Sequence, residues 1–74
     1  MQDARTKEIQ IVVNGQVRRV REGQTLAELL TSLEIAGDRV AVELDRKIVR
    51  RSEWDTTTVG PGAALEIVQF VGGG

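Results

Sequence analysis

The chain has 74 residues, of which 10 are basic and 11 acidic for a formal net charge of -1, and it contains neither cysteine nor histidine. That length suits one small domain able to bury a little over ~60% of its unfolded surface. The missing residue types remove the thiol nucleophile, the imidazole base, the usual zinc ligands and any disulfide framework, and the balanced charge supplies no bulk field for nucleic acid or an anionic membrane.

The leading stretch "MQDARTKE" is polar, without the apolar centre of a signal peptide, and no run approaches the ~20 apolar residues of a membrane span. The expectation is a single cytoplasmic domain over residues 1–74 with a flexible lead at 1–8. Ile9 to Val13 is mostly β-branched and runs into Asn14-Gly15, the dipeptide that best tolerates the positive φ angles of a type I′ hairpin turn. Ile9, Ile11 and Val13 share one face. A second strand runs from Gln16 to about Arg21, where Val17 and Val20 break strict alternation and signal either a bulge or an early end.

In "REGQTLAELLTSLEIAGD" the period changes, and Leu26, Leu29, Leu30 and Leu33 make one stripe along a helix. Thr25 and Glu28 have capping-box spacing, and Gly37 is the predicted helix stop. Val40, Val42 and Leu44 then alternate with Ala41, Glu43 and Asp45 as a third strand, "DRK" turns the chain, and Ile48-Val49 starts a short fourth strand. Trp54, within "RRSEWDTTT", is expected to fold back as a lid on one end of the core. After the turn "GPG", the last strand spans Leu65 to Val71. Leu65, Ile67 and Val71 lie on one of its faces and Val68 and Phe70 on the other, the pattern of a central strand.

Most candidate chemistry along the chain dissolves on inspection. "GPGAAL" lacks the Lys-Ser/Thr pair of a phosphate loop and precedes a strand instead of a helix. Arg18, Arg19, Arg21, Arg46, Lys47, Arg50 and Arg51 lack interleaved aromatics, so they read as a solvated face. Glu43, Asp45, Glu53 and Asp55 show no calcium-loop spacing. What is left is the final "FVGGG". Gly72, Gly73 and Gly74 read either as a frayed or added end or as a working tail. Extended, they reach roughly 10 Å, enough to thread a narrow channel in another protein and present the Gly74 carboxylate there. That group is ionised at neutral pH and must be activated before it can react as an electrophile. Phe70 and Val71, at the base of the tail, are candidates for a docking surface, with ordinary strand packing as the alternative.

The segments "IVVNG", "TLAELLTSL", "VAVEL", "IVRRSEW" and "LEIVQFVGGG" together resemble the ThiS family, the ubiquitin-like sulfur carriers of thiamin biosynthesis, over nearly the whole chain from Ile9. Arg50 stands where that family commonly has Pro, and Ala63 where it commonly has Asp. The resemblance implies an α+β fold of the β-grasp type, with a mixed sheet of four to five strands on one helix and a flexible glycine tail. It also implies a carrier instead of an enzyme. An adenylating partner related to ubiquitin activators would use ATP-Mg to activate Gly74. A persulfide protein, of cysteine desulfurase or rhodanese type, would supply sulfur, and thiazole synthase would accept it from the resulting thiocarboxylate. Gly72 and Gly73 would thread the partners' sites, and the carrier would bind no cofactor, nucleic acid or membrane of its own. Sulfur supply to molybdopterin or to tRNA thiolation, conjugation to lysines as a protein modifier, and an inert interaction module stand as the alternatives.

Overall fold

The computed structural model describes residues 7–70. The chain forms β1 (Glu8–Val13), β2 (Gln16–Arg21), α1 (Leu26–Ser32), a 3-10 turn (Gly37–Arg39), β3 (Val40–Leu44), β4 (Lys47–Val49), a second 3-10 turn (Arg51–Glu53) and β5 (Ala64–Gln69). The expectations for Val71 and the terminal glycines fall outside the described residues. Lys7 and Glu8, assigned above to a flexible lead, take part in pairing: Glu8 opens β1, and the Lys7 carbonyl accepts the Glu22 N–H at 2.8 Å.

Asn14 and Gly15 turn the first hairpin with φ of 50° and 80°, the left-handed conformations that its sequence predicted. β2 resolves the open question of its ending. It pairs residue for residue from Val13↔Gln16 to Glu8↔Arg21, with no bulge and no early end. Val20 is buried and Val17 is 61% exposed because they lie on opposite faces of an edge strand.

α1 begins as predicted. The Thr25 hydroxyl accepts the Glu28 N–H at 3.2 Å, and the Glu28 carboxylate accepts the Thr25 N–H at 3.0 Å. Two further N–H groups of the first turn donate to the 54–59 loop, Leu26 to Thr57 and Ala27 to Trp54. The helix stop differs from expectation. Glu34, at φ 61°, supplies the left-handed residue, while the N–H groups of Glu34 and Ile35 return to Thr31 and Leu30. Gly37 serves a different need. A Cβ there would stand 2.8 Å from the Trp54 ring, so its missing side chain is what lets the indole lie against the backbone.

The sheet order is β2-β1-β5-β3-β4, with β5 parallel to β1 and antiparallel to β3. The last strand is therefore central, as expected, although its second apolar face is not buried, Val68 and Phe70 each being 56% exposed. α1 lays the fully buried Leu26 and Leu29 and the nearly buried Leu30 on Ile9, Ile11, Val13, Val40, Val42 and Leu65. Each such leucine contributes about 1.5–3 kcal/mol by leaving water. Trp54 is 5% exposed and closes the core, its indole N–H donating to the Val49 carbonyl at 3.0 Å. Arg50 has φ -66°, a value a proline ring would also impose, so the backbone at this position is compatible with either residue. Ala63 is buried at 5% exposure, and Gly62 before it takes φ 77° in the turn that leads into β5.

Candidate functional site: the open sheet face and the base of the tail

β5 is the last described strand and lies in the middle of the sheet, and its carboxyl-terminal half is held from both sides. Toward β3, the Phe70 N–H donates to the Arg39 carbonyl at 2.8 Å. Toward β1, backbone pairing ends at Val13↔Leu65, because β1 has already turned at Asn14. The Asn14 carboxamide takes over. Its Oδ1 accepts the Ile67 N–H at 2.7 Å, and its Nδ2 donates to the Ile67 carbonyl at 3.1 Å, so one side chain stands in for a missing strand residue. Asp45 does the same at the start of the strand. Its N–H donates to the Ala64 carbonyl, and its carboxylate accepts the Ala64 N–H at 2.9 Å.

With α1 on one face, the other face of the sheet is uncovered by any described element. Strand parity places Val17, Glu43, Ile48, Glu66 and Val68 on it, with Phe70 following in the same alternation. With the half-buried Val12 and Ala41, it carries the four large hydrophobic residues that stand most exposed among the described residues: Val17 at 61%, Ile48 at 77%, and Val68 and Phe70 at 56% each. Single exposed apolar residues are ordinary, but four on one face are the pattern of an interaction surface.

Of the residues singled out in the sequence, Phe70 is thus exposed on this face and not packed in the core. Val71, Gly72, Gly73 and Gly74 lie outside the described residues. Ile48 and Val68 join Phe70 as face residues that the sequence reading did not single out, although the parity of β5 already set Val68 beside Phe70. The basic residues do not form one patch: Arg18, Arg19 and Arg21 belong to the β2 edge, and Arg46, Lys47, Arg50 and Arg51 to β4 and its flanks at the opposite edge. Among the described residues no three acidic side chains converge as a metal site, and no helix is long and apolar enough to cross a membrane.

A single helix on a five-stranded mixed sheet, with the carboxyl-terminal strand in the middle and parallel to the first, is the β-grasp arrangement of ubiquitin-like proteins. The ThiS family model matches residues 8–74, and the chain belongs to that family. It is 38% identical to the crystal structure of the thiamine biosynthesis protein ThiS from Geobacter metallireducens, with a TM-score of 0.78 over 89% of this chain and 100% of that one. It is 32% identical to the sulfur carrier protein ThiS of Escherichia coli K12 over 89% of its own length and the whole of that protein. A thiazole synthase from Paramagnetospirillum magneticum matches at 38% identity over 66 residues, where the chain spans only 20% of the larger protein.

Proposed function

We propose that this chain is the cytoplasmic sulfur carrier for the thiazole step of thiamin biosynthesis, with the Gly74 carboxylate as the group that is charged. The carrying observation is a family match that runs to Gly74 on a body whose central strand leads directly to that tail. An adenylating partner joins AMP from ATP to the carboxylate and releases pyrophosphate. A persulfide then attacks the acyl carbon and expels AMP. Reduction of the resulting acyl disulfide by a thiol leaves the thiocarboxylate and a new disulfide. The carrier contributes no acid or base to these steps. It contributes an address: the open face docks, and Gly72 and Gly73 thread the tail into the partner's site, where the absent Cβ permits close backbone approach.

Thiazole synthase is favoured as the acceptor by the relative of that name that contains a segment matching this chain. In that protein a carrier-like segment and the rest of the synthase share one polypeptide. The test is intact-mass spectrometry after incubation with the adenylating enzyme, ATP-Mg and a persulfide donor. The expected result is replacement of one oxygen by sulfur, localised to Gly74 by fragmentation, and loss of that sulfur on adding thiazole synthase and its substrates. An unchanged mass beside an enzyme proven active on its own carrier would refute the proposal. A charged carrier discharged only by molybdopterin synthase would move it to that pathway.

A further inference from the structure

The Asn14-Gly15 turn also carries chemistry. In an asparagine followed by glycine, the carboxamide carbon lies within reach of the next backbone nitrogen, and glycine has no Cβ to shield that nitrogen. Asn14 is the only asparagine in the chain and no aspartate precedes a glycine, so the reaction has one address. Asn14 and Gly15 are exposed, and nothing stands within 4 Å of the place a Gly15 Cβ would occupy, so water and base reach the nitrogen. What opposes the reaction is the fold. The carboxamide is held on β5, with Oδ1 and Nδ2 bonded to Ile67 at 2.7 and 3.1 Å, and it must leave both bonds to swing towards Gly15. That hold is local. On this side of β5 the last backbone bond runs from the Asn14 N–H to the Leu65 carbonyl at 2.8 Å, and no residue of β5 beyond Leu65 is fully buried. Release therefore breaks two exposed hydrogen bonds and leaves the core packed.

We infer that Asn14 is a site of spontaneous deamidation whose rate is set by release of its side chain from β5. The deprotonated Gly15 amide nitrogen forms a bond to the Asn14 Cγ, the Cγ–Nδ2 bond breaks, and the amine leaves as ammonia with a proton from water. The five-membered succinimide that results takes up one water. Opening at Cγ gives aspartate and opening at the main-chain carbonyl gives isoaspartate, with no change in oxidation state. Either product acts on β5. Aspartate sets a second acceptor oxygen where Nδ2 met the Ile67 carbonyl at 3.1 Å, and isoaspartate adds a methylene to the main chain of a two-residue turn. Deamidated molecules are thus marked by a loosened end of β5, and this holds whether or not the chain carries sulfur.

The test ages the full chain at mildly alkaline pH, native and in concentrated urea, and follows conversion by intact mass and by peptide mapping that separates aspartate from isoaspartate. The expected result is a mass change confined to Asn14, slower in the native chain by about ten- to a hundredfold, the factor that two neutral hydrogen bonds supply. In low urea, far below the unfolding midpoint, the native rate should stay flat, because local release exposes little surface. The modified fraction, once isolated, should exchange its Ile67 amide faster than the unmodified chain does. A native rate equal to the unfolded one would overturn the inference. So would a native chain that converts only as global unfolding allows, its rate climbing with urea from the first addition, or unchanged Ile67 protection in the modified fraction. Asn14→Gly, which keeps the turn, should gain no mass under any of these conditions; a gain there would place the reaction at another residue and overturn the inference too.

Discussion

Replacing Asn14 with glycine removes the side chain that holds the exit strand while leaving the turn it occupies intact. Asn14 has φ 50°, which glycine adopts without strain, and Gly-Gly is itself an accepted type I′ pair. What is lost is the pair of bonds to Ile67, at 2.7 and 3.1 Å. A neutral hydrogen bond contributes about 0.5–1.5 kcal/mol net, and because water can reach both Ile67 groups after the substitution, no buried-orphan penalty is added. Glycine's relief at positive φ is small against an asparagine that tolerates this region, so the net loss is about 1–2 kcal/mol. A domain of this size has roughly 4–11 kcal/mol in total and shifts its midpoint by about 4–8 °C per kcal/mol, so Tm should fall by about 5–15 °C. Amide hydrogen exchange adds the local readout. Ile67 should lose protection well beyond the global change, whereas Val68, whose backbone is directed to β3, should follow the global value. A midpoint within about 2 °C of wild type and an Ile67 amide as slow as before would refute the claim that this carboxamide acts as a strand residue.

Three further substitutions probe other links. Gly37→Ala should destabilise by about 1–3 kcal/mol, since its methyl would sit 2.8 Å from the Trp54 ring, and the fluorescence of this sole tryptophan should shift with it. Glu34→Gly should stabilise by about 1 kcal/mol by relieving φ 61° at the end of α1, read as a higher urea midpoint at constant m. Phe70→Ala should leave the unfolding free energy, read from urea titration, within about 0.5 kcal/mol of wild type, because the ring is 56% exposed, while lowering kcat/KM for thiocarboxylate formation by about tenfold or more. Equal losses in stability and charging would return Phe70 to a packing role.

Most of the local structure was legible in the residues because each signal is decided by near neighbours. Asn14-Gly15 specified its turn, Thr25 and Glu28 closed a capping box three residues apart, and the leucine spacing defined the buried stripe of α1. The parity of Val68 and Phe70 against Leu65 and Ile67 even marked β5 as central and set two residues of the open face. Where near neighbours gave two answers, tertiary context chose. Gly37 looked like a helix stop by type and position, yet Glu34 closes the helix and the glycine accommodates Trp54, 17 residues away in the chain.

The site is divided in the same way. The glycine tail and its apolar base were visible as sequence. The surface around them became a unit only when pairing brought β3, β4 and β5 side by side. Asn14 bonds to a residue 53 positions away, and Glu43 meets Glu66 only through the register of an antiparallel ladder. Periodicity states which face a side chain takes relative to its own strand. Which other strand lies alongside, and in what register, is set by the whole core under α1, a sum over contacts too distant along the chain for any local pattern to encode.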